Sequence, residues 1–130
     1  MQSQSQSSTP RAVRVASQVQ RALALRLREV KDPRVGNVTV TAVNVAPDLT
    51  VAYVQVLPFG SAHAPDETLA GLRSAAGYLR GVVGRDLHLR RAPRLEFALD
   101  EPLEQAHRLT ELIDRAVSSD RATHERDSGA

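Results

Sequence analysis

Two runs rich in β-branched residues, VGNVTVTAVNVA from Val35 to Ala46 and LTVAYVQVLP from Leu49 to Pro58, are joined through Ala46-Pro47-Asp48. Strands linked this tightly can pair only antiparallel, because a parallel partner needs a crossover of a dozen residues or more. Proline and aspartate are turn formers, which suits the link. Polarity alternates along the first run and slips in phase near Ala42-Val43, where a β-bulge would restore the register. An isolated hairpin is marginal in water, so the segments around it must supply its cover.

They read as doing so. From Arg11 to about Val30, Val15, Val19, Leu23 and Leu27 recur at helical spacing, widened by Ala22 and Val30. The remaining faces of that helix carry Arg11, Arg14, Arg21, Arg26 and Arg28. Pro33 ends it, since its ring cannot continue the ladder and disfavours helical geometry at Asp32. After a loop, FGSAHAP, Asp66 and Glu67 place negative charge in the first turn of a second helix, which buries Leu69, Leu72, Ala76, Leu79 and Val83. Ala92 to Asp100 alternates Leu95, Phe97 and Leu99 as a third strand. Residues 101–118 form a last helix, with Pro102 in its first turn and Leu103, Ala106 or Leu109, Ile113 and Val117 at helical spacing. The pattern predicts an α+β fold, a three-stranded sheet packed by helices. The Ser/Gln-rich leader at 1–10 and the polar tail at 119–130 are expected to be disordered, leaving one domain at 11–100 and the C-terminal helix.

Several function classes drop out. The chain has no cysteine, hence no disulfide, thiolate metal site or cysteine nucleophile. Its N-terminus lacks the apolar stretch of a secretory signal and no apolar run reaches membrane-span length, so the protein is expected in the cytoplasm, away from membranes. His63, His88, His107 and His124 stand alone, without a partner at metal-ligand spacing, and no phosphate-binding loop, dinucleotide fingerprint or nucleophile elbow occurs. No metal or cofactor is expected. Asp32, Asp48 and Asp100 all fall at turns, where aspartate caps backbone amides; a small metal-dependent ribonuclease or phosphoesterase using one or more of them is the enzymatic alternative. A protein-only adaptor, docking through the acidic C-terminal helix, is another.

The charge is segregated. Residues 11–40 carry seven basic and two acidic side chains and residues 71–95 six and one, whereas residues 96–130 carry four and nine. Two basic segments and an acidic end suggest a face for a polyanion. Aromatic residues make up only 3% of the chain, and Tyr78 is the one placed near the second basic segment to stack on a base. Recognition of phosphate and RNA shape is therefore expected, rather than a stacking platform.

Gly77 stands in the middle of LRSAAGYLRGVVG, where glycine costs a helix about 1 kcal/mol relative to alanine. Nearby GVVG spells the G-x-x-G clamp of K-homology RNA-binding modules, but its centre is Val82-Val83, and Val83 lies on the apolar stripe. Ala75-Ala76-Gly77 is the better break point, with small residues that let the chain bend and another backbone approach. Here the span from Arg11 to about Ile113 resembles ribosome-binding factor A, a family of bacterial small-subunit assembly factors. The resemblance rests on VKDPRVG, VTVTAVNVAPDLTVAYVQV, LRSAAGYLR with its Ala-x-Gly, and LHLRRAPRLEFALD, in that order and spacing. It implies a type II K-homology-like fold in the order helix, strand, strand, kinked helix, strand, followed by the C-terminal helix, in which two helices about the Ala-x-Gly kink replace the G-x-x-G loop.

The resemblance also implies non-catalytic binding to the immature 30S subunit and its 16S rRNA during late maturation and rRNA processing, with a link to growth in the cold. The family signature falls on Asp32, Pro33 and Arg34, on Asp48 and Leu49, on Ala75, Gly77, Leu79 and Arg80, and on Arg90, Pro93, Leu95, Phe97 and Asp100. Ala46 departs from the serine expected at the hairpin turn, and Pro102 from a small polar residue. Taken with the basic segments, these matches make Arg11, Arg14, Arg21, Arg28, Lys31, Arg34, Arg73, Ala75, Gly77, Tyr78, Arg80, Arg90 and Arg91 the expected RNA contacts of a monomeric factor.

Overall fold

The structure is a computed structural model that describes residues 9–60 and 62–129. Helix α1 spans Pro10–Arg26. Thr9 caps it, its hydroxyl oxygen accepting from the Ala12 amide at 3.0 Å, and Pro10 fills the first helical position, where its missing N–H is no loss. The expected leader is therefore shorter at its end by these two residues, while residues 1–8 lie outside those described. Ala12, Val15, Ala16, Val19, Ala22 and Leu23 form the buried stripe. The α-helix closes at Arg26 and tightens into a 3-10 turn, Leu27–Glu29, before the chain extends at Val30, so the periodic pattern overran the helix by one turn.

Strands β1 (Asn37–Val45) and β2 (Val51–Phe59) form the antiparallel hairpin, with Val45 opposite Ala52 and Asn37 opposite Phe59. The register shifts between Val40 and Ala42, slightly earlier than the slip expected from the sequence. The extra residue, Thr41, donates its hydroxyl to Asp100 Oδ2 at 2.7 Å. At the turn, Asp48 Oδ1 accepts from the Thr50 amide and hydroxyl at 3.1 and 2.7 Å, and Leu49 takes a left-handed φ of 63°. Aspartate thus caps the turn where Ala46 has no side chain to do so.

Helix α2 (Pro65–Asp86) crosses over to β3 (Arg94–Leu99), which lies parallel to β2 and completes a sheet of order β1-β2-β3. Glu67 accepts the Ala64 amide at 2.9 Å in the first turn of α2. The helix runs through Ala75-Ala76-Gly77 as one 22-residue element, so the expected pair of helices about the glycine is a single one. Helix α1 packs on β1, α2 packs on β3, and the two helices touch. Val19, Leu23, Leu72, Leu79, Val54, Val56 and Val83 are almost wholly excluded from solvent between these layers.

Residues 101–130 make a separate unit. Its helix α3 runs from Glu101 to Gly129 rather than ending near residue 118. No proline follows Pro102 and no glycine intervenes before Gly129, while alanine, arginine and glutamate favour the helix. Within it, Arg108 pairs with Glu104 at 3.2 Å, one turn apart. No helix among the described residues is long and apolar enough to cross a membrane.

Candidate nucleic-acid interface

The residues expected to meet RNA have different local partners. Arg11, Arg14 and Arg21 project from the exposed side of α1, opposite the stripe that its period buries. Arg28 and Lys31 are exposed where the 3-10 turn leads toward β1, and both line a groove of about 790 Å³ with Pro33, Gly36 and Phe59. Arg34 is instead held within the fold. Its guanidinium donates to both oxygens of Asp32, at 2.6 Å for the shortest bond, and reaches Ser74 Oγ at 3.4 Å, linking the segment after α1 to α2. The Arg34 amide donates to the same carboxylate at 2.9 Å. These charge-assisted bonds lower the Asp32 pKa to about 2.

On α2, Arg73 donates to the carbonyl of Phe97 at 3.2 Å, and Arg80 Nε to the carbonyl of Ala92 at 2.9 Å. Both therefore brace the helix against β3 and the segment leading to it. Ala75 is half-buried against the core and Tyr78 is 54% exposed. Val82 and Val83 are buried, so the centre of GVVG is not presented as a clamp would require. Of the expected residues, Gly77, Arg80, Arg90 and Arg91 come together in one groove of about 700 Å³, where α2 meets the segment before β3. Arg85 and His88 line the same groove. Their place depends on the C-terminus of α2, where His88 adopts a left-handed φ of 54° and the Leu89 amide returns to the Gly84 carbonyl at 2.9 Å. That reversal was not legible in the residue types.

One cation of the first basic segment is committed to a long-range pair. Arg26 donates to both oxygens of Asp86, at 2.8 and 2.7 Å, and to Glu29 at 3.1 Å. These bonds raise the Arg26 pKa and lower that of Asp86, and they tie the end of α1 to the end of α2. The three aspartates of the enzymatic alternative serve separate turns and contacts: Asp32 with Arg34, Asp48 with Thr50, and Asp100 with Thr41. No cluster of three or more His, Cys, Asp or Glu side chains suited to a metal occurs among the described residues.

The comparisons agree with this architecture. The family model for ribosome-binding factor A matches residues 11–113. The chain is 47% identical over 115 residues to the ribosome-binding factor A of Thioalkalivibrio sulfidiphilus, covering 88% of this chain and 89% of that protein. Against its counterpart in Pseudomonas putida the identity is also 47%, over 85% and 86% of the two chains. Among solved structures, the crystal structure of ribosome-binding factor A from Thermus thermophilus superposes with a TM-score of 0.62 at 33% identity, covering 68% of this chain and 93% of that one. A homology model of the Thermus thermophilus factor, fitted into the cryo-EM map of a 30S complex, gives a TM-score of 0.56 at 35% identity over 64% and 88%.

Proposed function

Because the chain belongs to the ribosome-binding factor A family, whose members are non-catalytic ribosome-associated factors, we propose that it binds the immature 30S subunit through its 16S rRNA. It acts there during late maturation and rRNA processing, as a cytoplasmic monomer, and leaves once the subunit is ready. Its loss is felt most strongly during growth in the cold. The observation that carries this reading is the grouping of Gly77, Arg80, Arg90 and Arg91 in one groove, on a fold shared with a factor fitted into a 30S complex. Arginine donors facing solvent suit phosphate, and phosphate contacts fix orientation without reading sequence.

Sedimentation of tagged protein in cell extracts tests the proposal. Co-migration with immature 30S particles, and depletion from mature subunits and whole ribosomes, is the expected result. Equal association with all three, or with none, would remove the assembly role. Retention on a single protein after ribonuclease treatment would favour the adaptor instead.

A further inference from the structure

The cleft of about 790 Å³ beside Arg28 and Lys31 has a free strand edge for one wall. β1 stands at the edge of the sheet, and the hydrogen bonds around it set the phase of its backbone. In an antiparallel pair, backbone groups face the partner at every second residue and point away at those between. The Ala46 amide donates to the Val51 carbonyl at 3.0 Å and the Asp100 amide to the Val56 carbonyl at 2.8 Å, so odd-numbered residues of β2 face β1 and even-numbered ones face β3. Their partners on β1 are Asn37, Thr39, Ala42 and Asn44. Val38, Val40, Val43 and Val45 therefore turn their amides and carbonyls outward. Two details agree: Pro58, opposite Val38, has no N–H to give, and the Val40 carbonyl accepts instead from the Gln20 side chain at 3.2 Å.

The cleft lies along Gly36–Val40, the run that the bulge at Thr41 ends. Among the described residues, no strand takes up the Val38 and Val40 amides or the Val38 carbonyl. Ala24 and Val30, from α1 and the turn after it, give the opposite wall an apolar surface. The charged side chains along the cleft are Arg28, Lys31 and Asp32. Asp32 is gripped by Arg34, whereas Arg28 and Lys31 form no ion pair among the described residues.

These features select one kind of occupant. Outward amides and carbonyls that alternate along an edge are satisfied together only by another strand. A phosphate backbone accepts hydrogen bonds and donates none through its phosphates, so it leaves the Val38 carbonyl unanswered. A second copy pairing through the same edge would set its own Arg28 and Lys31 against these two, and like charges repel. An acidic strand from another protein meets both demands. We propose that an extended, acidic segment of a partner protein adds to the free edge of β1 as a fourth strand, its apolar side chains against Ala24 and Val30 and its carboxylates against Arg28 and Lys31. Main-chain bonds supply affinity in this mode, and the side-chain wall supplies selectivity. The surface is separate from the arginine groove at the end of α2 and stands whether or not that groove binds RNA.

The test uses the full chain and labelled peptides in which valine alternates with glutamate, serine or lysine. The glutamate peptide should bind most tightly, and exchange of the Val38 and Val40 amides with solvent should slow when it does, while the Thr39 amide, already paired within the hairpin, stays as it was. Val38→Pro deletes an outward donor without removing a bond of the sheet, which an edge strand tolerates. It should weaken the glutamate peptide about tenfold, as loss of one main-chain bond and its neighbours would, and leave oligouridine affinity unchanged. A peptide methylated on one alternate set of its amides, tested on the unaltered chain, should lose binding, while methylation of the other set should not. Arg28→Gln/Lys31→Gln should bring the glutamate peptide down to the affinity of the serine peptide. Equal binding of all three peptides, indifference to both methylation patterns, or unaltered exchange at Val38 and Val40 would overturn the proposal. So would displacement of the glutamate peptide by oligouridine, which would make RNA the occupant, or dimerisation of the chain that Val38→Pro abolishes, which would make it a second copy.

Discussion

Gly71 and Gly77 lie in the same helix and have opposite surroundings. A side chain at Gly71 would press within 3.0 Å of Val35 and 3.2 Å of Arg34, whereas one at Gly77 would meet nothing within 4 Å. The first glycine lets α2 settle onto the segment after α1. The second has no structural partner, and it opens onto a groove walled by arginine. The same residue type thus reports packing at one position and points outward at the other; only the three-dimensional neighbours separate the two cases.

The comparison breaks most readily at Gly71. Gly71→Leu forces a branched side chain between buried Val35 and the Asp32–Arg34 pair, and we expect a loss of about 1–3 kcal/mol from overpacking. That is a melting temperature lower by about 4 °C or more for a domain of this size; wild-type melting would show that the contact is soft. Gly77→Ala should act in the opposite direction, stabilising by about 0.5–1 kcal/mol as the helix gains propensity without a clash. A lower melting temperature there would mean that the fold itself needs the glycine. The smallest effect concerns the anchor beside Gly71. With its pKa lowered to about 2 by Arg34, Asp32 contributes stability that is fully present above its unfolded value of about 3.9 and is lost as pH falls toward 2. Melting curves of the wild type should therefore decline between about pH 4 and pH 2 more steeply than those of Asp32→Asn, and parallel curves would deny the anchor its role.

Much of the fold was legible because period and spacing are local. The hairpin followed from two β-branched runs and a short turn, and the core of α1 from Val15, Val19 and Leu23, all of which are buried. What escaped depends on partners distant in sequence. The bulge falls at Thr41 because its hydroxyl meets Asp100, and α1 is tied at its end through Arg26 to Asp86. The candidate interface was read from charge, and charge does not reveal commitment: Arg34 and Arg73 are engaged within the fold, whereas Arg85 and His88 line the groove without having been singled out. The sequence singled out Gly77 as a break point and set GVVG aside, but only the structure showed which of Gly77, Gly81 and Gly84 the chain itself fills.

The central claim is that exposed arginines of α1 and of the groove hold ribosomal RNA by its phosphates. It is tested most directly by measuring affinity for immature 30S subunits across a salt series. The wild type is compared with Arg14→Ala/Arg21→Ala/Arg90→Ala/Arg91→Ala and with a charge-matched control, Arg108→Ala/Arg115→Ala/Arg121→Ala/Arg126→Ala. We expect the first variant to lose about 3 from the log–log slope, at roughly 0.7 to 0.9 for each phosphate released, with its melting temperature unchanged and the control binding like the wild type. Equal losses in both variants would reduce the effect to net charge, and a loss confined to the control would put the RNA-binding surface on α3.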